Sequence, residues 1–168
     1  MIISDTNILG SFAAADALLS LQALLGEPIV IPPAVDRELQ AGLSYGANHL
    51  QRVFAAIETG QIKVMYLNES TQTWLQTLPA PLHDGEREGI ALAYYYHSRL
   101  LTNDRRALRY CDAVGILTLD LKNLLRQLWL RQVLTQAEVK NLMQRITQVD
   151  KTIFTAQDSQ HIFAPRRK

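Results

Sequence analysis

Short apolar runs alternate with longer stretches of three- and four-residue periodicity along the whole chain. The first run, Ile2–Ile3, stops abruptly at Asp5, Thr6 and Asn7. Leu18, Leu21, Leu24 and Leu25, with Phe12 and Ala15 behind them, recur at helical steps and predict one amphipathic helix that ends near Gly26. Pro28 introduces Ile29–Ile31, a β-branched strand pattern, and Pro32 and Pro33 close it and open the next helix. Leu50, Val53, Phe54 and Ile57 predict a helix stopping at Gly60, and Lys63–Leu67 the next strand. After the breaker-rich PAPLHDG comes EREGIALAYYYH, with Ile90, Ala91, Ala93 and Tyr94 on a helical face.

The second half repeats the alternation. RLLTND holds a strand, RRALRYCDAV a helix with its stop at Gly115, and Ile116–Leu119 a fifth strand. A helix from Asp120 carries Leu121, Leu124, Leu125 and Leu128, and TQAE opens another, with Thr135 and Glu138 at capping-box spacing. From about Asp150 the pattern fades into a polar tail ending PRRK, with His161, Ile162 and Phe163 as a docking patch. The expected organisation is one domain over 1–150, including the C-terminal helices from about 120, and a polar tail over 151–168. Five strands separated by helices imply parallel β-α-β units and a three-layer α/β/α sandwich. If the chain moves outward from strand one and returns on its other side, the strand order is 3-2-1-4-5.

Composition narrows the class. At 168 residues and 48% hydrophobic content the chain suits one domain with a full core. Seventeen basic residues balance 16 acidic ones, so overall charge makes no case for nucleic-acid binding and local clusters must carry any such argument. The lone Cys111 excludes an internal disulfide and a cysteine-built zinc site, and is read as a small buried hydrophobe. With no leader pattern and no apolar run near the ~20 residues of a membrane span, the expectation is a soluble cytoplasmic protein that binds no membrane.

The chemistry-bearing residues cluster where strands end. In open parallel sheets ligands gather beyond the carboxyl ends of the strands. Asp5 follows the first strand and Asp104 the fourth; Glu38 lies in the helix after strand two, and Glu86 in the first turn of the helix before strand four. Singly, each has an ordinary explanation. Asp5 and Asp104 are good helix N-caps, Glu86 suits the positive end of a helix, and Glu38 suits a solvated surface. Together in one crevice, four carboxylates repel one another and call for cations. Oxygen-rich clusters of this kind take Mg²⁺ or Mn²⁺, and paired ions about 4 Å apart serve metal-dependent nucleases. Asn7, Thr102 and Asn103 stand beside the acids as orienting groups, with turn chemistry the simpler reading of Asn103.

SDTNIL at the start, VDREL around Glu38, GEREGIALA around Glu86 and LLTNDRRALR around Asp104 together resemble the PIN domain, the fold of VapC-type toxin ribonucleases. The resemblance runs from Met1 to about Leu119. It implies a Mg²⁺- or Mn²⁺-dependent endoribonuclease whose acidic quartet falls on Asp5, Glu38, Glu86 and Asp104, supported by Thr102 and Asn7. Three features depart from the pattern. The third acid is Glu86 where aspartate is commoner, with Asp84 and Glu88 nearby; helical geometry turns Glu88 away from Glu86, and Asp84 is read as the helix cap. The chain extends beyond Leu119, which is similar to a less characterised PIN branch carrying PPAVDREL and GEREGIALA. Gly89 is unexpected in a helix and suggests close backbone approach.

Arg105, Arg106 and Arg109 follow Asp104 and suit either a substrate phosphate or simple balance of the acids. Tyr94, Tyr95 and Tyr96 cannot share one helix face, so at least one is expected at the surface; His83 and His97 are read as structural or surface residues. The partners implied are an RNA substrate, an antitoxin protein closing the acidic crevice, and a second copy in a homodimer, with the apolar helices after Leu119 either forming that homodimer or receiving the antitoxin. Two other readings stand beside this one: a PIN-fold module that binds RNA or protein without cutting, and a haloacid-dehalogenase-type phosphatase. The latter needs a second aspartate two residues after Asp5, where this chain has Asn7.

Overall fold

The computed structural model describes residues 1–79 and 82–165. Ala80 and Pro81 of the breaker-rich loop, and Arg166–Lys168 of the terminal PRRK, lie outside the described residues.

Five strands form one parallel sheet: β1 (Ile2–Ser4), β2 (Ile29–Ile31), β3 (Ile62–Val64), β4 (Arg99–Leu101) and β5 (Thr118–Leu119), in the order β3-β2-β1-β4-β5. β1 is central, with Ile2 opposite Ile29 on one side and Arg99 on the other. Both faces of the sheet are covered, and the alternation of a strand divides its side chains between two cores. Ile2, Ile29, Ile31, Ile62 and Leu101 join one, and Ile3, Val30 and Leu100 the other. This is the three-layer α/β/α sandwich that the pattern predicts.

The first core is packed by α1 (Thr6–Ala14), α2 (Leu18–Leu25), α8 (Leu121–Leu130) and α9 (Gln136–Asp150). The second lies under α6 (Asp84–Tyr95) and α7 (Arg105–Val114). Between these come α3 (Pro33–Ser44), with proline at its first position, and α4 (Gln51–Glu58) after a 3₁₀ turn at Asn48–Leu50. Gly26, Gly60 and Gly115 end their helices or follow them in the left-handed conformation, where glycine avoids the Cβ penalty.

Four local features differ from the sequence pattern. The single helix expected over Phe12–Leu25 is two, because Asp16 takes a positive φ of 57° and turns the chain between α1 and α2. The strands are shorter than Lys63–Leu67 and Ile116–Leu119, although Met65 N donates to Ile31 O and Leu100 N to Leu117 O beyond them. An additional helix, α5 (Glu69–Leu75), precedes α6; its sequence is polar, and the Asn68 side chain caps it at Thr71 N.

The fourth difference is in the tail. Ala156–Phe163 form α10, opened by a capping box of Thr155 and Asp158. Only Ile162 is fully buried, so periodicity alone is weak here. Donors from α8 anchor it instead: the Arg126 guanidinium bonds the carbonyls of His161, Ala164 and Pro165, Trp129 Nε1 donates to Ile162 O at 2.6 Å, and Lys122 pairs with Asp158 at 2.6 Å.

Candidate active site

The carboxyl ends of β1 and β2 and the start of α6 enclose a cleft of about 530 Å³. Asp5, Thr6, Asn7, Glu38 and Glu86 line it. Asp104 starts α7 beside it, near enough to Glu86 to disfavour its ionised form. Three of the four acids face the cleft directly, and the fourth joins them through its field.

Asp5 is the most constrained. It is only 7% exposed, because β1 delivers it to the centre of the sheet edge. Its Oδ1 accepts from Ile8 N at 2.8 Å, capping α1, and its Oδ2 accepts from Asn103 N at 3.3 Å. The Thr102 hydroxyl also donates to it. Burial nevertheless dominates these donors and pushes the carboxyl up to about 6, with a further contribution from Glu86. Thr102, itself buried, accepts from Asp104 N at 3.1 Å, so one hydroxyl ties two acids together.

Glu86 is raised too, first by burial, then by the charges of Asp104 and Glu38, against the bond it accepts from His83 N at 3.0 Å. His83, not Asp84, is the N-cap of α6; Asp84 is the first helical residue and is exposed. The helix starts one residue early because Glu86 reaches back to the His83 N–H, completing a capping box. Glu88 points elsewhere, as helical geometry requires. Its Oε2 accepts from Ala34 N at 2.7 Å in the first turn of α3, and its Oε1 lies 3.5 Å from Arg37. It is a tie between two helices.

Asp104 Oδ1 accepts from Arg106 N at 2.6 Å and Ala107 N at 2.8 Å. Asn7 is exposed at the cleft wall, whereas the Asn103 side chain caps α8 through Leu121 N at 2.9 Å. Arg105, Arg106 and Arg109 are all exposed along α7. Tyr94, Tyr95 and Tyr96 are each partly exposed, and Tyr94 stacks on Trp74 with ring centroids 4.2 Å apart. His97 follows α6 in the left-handed conformation, as a turn residue. Cys111 is fully buried, and the surrounding apolar groups push its thiol up to about 12.

Two further residues shape the site. The Thr6 hydroxyl bonds Glu38 Oε2. At Gly85 an added Cβ would meet Glu38 Oε1 at 2.7 Å, so only glycine lets that carboxylate rest on the first turn of α6. The signal was available: glycine between two acids at a helix start is unfavourable for the helix. At Gly89 the same addition meets Leu100 Cδ1 at 3.4 Å and Ile3 Cγ2 at 3.8 Å, ordinary contact distances. The close approach expected at Gly89 is thus mild, and the tight one is at Gly85.

Among the described residues, no three acidic, histidine or cysteine side chains stand together as a ready-made metal cluster. The donor chemistry of the cleft does fit a hard divalent cation: every titratable side chain facing it except His83 is a carboxylate, and burial disfavours the anions of Asp5 and Glu86, helped at Asp5 by Glu86 and at Glu86 by Asp104 and Glu38.

A family model for the PIN domain matches residues 1–158. The chain belongs to the PIN domain family. Its fold is therefore of the nuclease type, in a family that generally consists of hydrolases and typically uses divalent metals. No curated protein matches the chain. Among the described residues no helix of this PIN domain is long and apolar enough to cross a membrane.

Proposed function

We propose that this PIN domain is a Mg²⁺- or Mn²⁺-dependent endoribonuclease in which Asp5, Glu38, Glu86 and Asp104 hold the metal, and that it is the toxin of a VapBC-type toxin–antitoxin pair. The observation that carries the reading is the convergence of the carboxylates: Asp5, Glu38 and Glu86 line one cleft with Asp104 at the start of α7 beside it, and burial first, then the neighbouring acids, disfavours the ionised forms of Asp5 and Glu86. Bound divalent cations would relieve that repulsion and supply Lewis-acid activation of water and phosphate.

The chain's own residues do the positioning. The N–H groups of Ile8 and Asn103 and the Thr102 hydroxyl fix Asp5 from behind. Thr6 and the bare backbone at Gly85 seat Glu38, His83 N holds Glu86, and the first turn of α7 holds Asp104. Each carboxylate is thereby oriented before substrate arrives, which lowers the cost of assembling the site. Asn7 at the cleft wall orients water or substrate. The exposed Arg105 and Arg106 meet phosphate oxygens next to the acids. As a toxin the protein is silenced by an antitoxin whose basic segment enters the acidic cleft, and it acts as a homodimer in the cytoplasm.

A second reading, an RNA- or protein-binding module that does not cut, is favoured by the lack of a ready-made metal cluster among the described residues. One experiment separates the two: a mixed pool of end-labelled RNAs incubated with purified protein in EDTA, Mg²⁺ or Mn²⁺, with Asp5→Asn as control. Metal-dependent cutting that disappears in the variant is expected. RNA retained uncut in every metal would overturn the nuclease in favour of the binding module.

A further inference from the structure

Among the described residues, every hydrogen bond and ion pair that α10 makes with another helix goes to α8. α9 is not tied to it in this way, and between α9 and the segment that ends in α10 lies a groove of about 670 Å³. That volume is within the ~300–1,000 Å³ typical of small-ligand sites. One wall is a stripe of α9, Lys140, Met143, Gln144, Thr147 and Gln148, at the three- and four-residue steps that share a helix face. From Lys140 to Gln148 the stripe runs about 12 Å at ~1.5 Å per residue. The facing wall carries the half-buried rings of Phe154 and Phe163.

Charge in the groove is placed at one point. Among the described residues Lys140 is the one charged side chain lining it, and its ammonium stands 5.4 Å from the centroid of the Phe163 ring. No acid lies three or four positions away on α9 to pair with it: those neighbours are Gln136, Ala137, Met143 and Gln144. The nearest acid of α10 in sequence to the lining residues, Asp158, is paired with Lys122 of α8 at 2.6 Å. Lys151, past the other end of the stripe, is bound to the Gln148 carbonyl at 3.0 Å. The groove thus joins aromatic and thioether surface to a single ammonium with no carboxylate beside it. A neutral apolar ligand leaves the ammonium unused, and an inorganic anion leaves the rings unused. An amphipathic anion uses both.

We propose that the groove between α9 and α10 binds a small amphipathic carboxylate of the medium-chain fatty-acid class, its head paired with Lys140 and its tail along Met143, Phe154 and Phe163. The site shares no lining residue with the acidic cleft, and nothing in it depends on the nuclease reading. A tail lying between the two helices ties α9 to α10, so the bound chain resists urea better than the free one.

The test is isothermal calorimetry of the full chain with octanoate, decanoate and octanol, each below the concentration at which it self-associates. Decanoate should bind about tenfold tighter than octanoate, because two further methylenes are buried. Octanol, with the same chain and no charge, should bind several-fold more weakly than octanoate. Lys140→Gln should weaken octanoate several-fold and leave octanol unchanged, and Lys140→Arg should recover the loss. Thr147→Trp fills the groove from the exposed side of α9 and should weaken all three ligands; an unchanged far-UV circular dichroism spectrum shows that it folds. Lys63→Gln, which removes an exposed ammonium on β3, is the control and should change nothing. Equal losses in Lys140→Gln and Lys63→Gln would reduce the effect to net charge and overturn the site. So would octanol binding as tightly as octanoate, or affinities that ignore Thr147→Trp. Heat released only once decanoate forms micelles would describe a detergent on exposed apolar surface, and would overturn it as well.

Discussion

Four helices in this molecule begin with the same chemistry and two opposite results. α9 and α10 open with capping boxes, Thr135 with Glu138 and Thr155 with Asp158. There the acid is held below its ordinary range, the exposed Glu138 by the Thr135 N–H and hydroxyl, and the half-buried Asp158, at about 2, by its ion pair with Lys122 and by Thr155. α1 and α6 also open with carboxylates on backbone N–H groups, Asp5 on Ile8 and Glu86 on His83. These are raised above their ordinary range. The donors are alike; the surroundings differ. Water solvates the rest of the exposed Glu138 carboxylate and the Lys122 ammonium pairs with that of Asp158, so the cap is a net stabilisation. In the cleft, burial and the neighbouring acids outweigh the cap, so the same motif becomes a destabilised anion suited to a cation.

The largest effect that tests this contrast is on turnover. Asp104→Asn keeps a side-chain oxygen to cap α7, so the fold should survive while RNA cleavage falls at least ~100-fold. Near-wild-type cleavage would make Asp104 a cap like Thr155 and nothing more. Glu86→Gln should likewise impair cleavage far more than Glu88→Gln, since Glu88 is occupied by Ala34 N and Arg37; the reverse order would put the wrong glutamate in the cleft.

The next effect is on stability. An aspartate whose folded value is about 6, against an ordinary 3.8, leaves the native state holding the extra proton between those two values. Stability therefore falls as pH rises from about 4 through about 6. In EDTA at pH 7.5, Asp5→Asn should then be more stable than wild type by about 1–2 kcal/mol, and the gap should close by pH 4. Urea denaturation at the two pH values reads it, and a variant less stable than wild type at pH 7.5 would show that the donors around Asp5 outweigh its burial.

Smaller still is the glycine pair. Gly85→Ala forces the Glu38 carboxylate off α6 and should reduce cleavage about tenfold, whereas Gly89→Ala, with room for its methyl, should leave cleavage intact. Equal cleavage by both variants would remove the seat from the site. Last, Thr135→Ala should cost ~1 kcal/mol in thermal or urea denaturation and nothing in cleavage, as a cap outside the cleft must.

The sequence carried much of this architecture because parallel β-α-β units have strong local signals. Ile29–Ile31 is bracketed by prolines, and Gly26, Gly60 and Gly115 sit at or next to the ends of their helices, where a left-handed turn is needed. The cleft was legible in outline, since Asp5 and Asp104 follow strands that the sheet order makes neighbours. Several of the misses involve partners remote in sequence. Asp16, where the helix breaks, is paired by Arg52 and Arg145 from other helices. α10 has little apolar periodicity of its own and is anchored by Arg126 and Trp129 of α8. Thr6 and Gly85 matter only because Glu38 arrives between them.

By itself the sequence determined the periodic elements, their parallel arrangement and the set of acids available at the strand ends, because each of these follows from residues close together in the chain. Only the tertiary structure decided which acids share a cleft and whether a capping carboxylate is stabilised or strained. Burial and mutual repulsion are properties of a place in space, and no local pattern records how much water a carboxylate keeps.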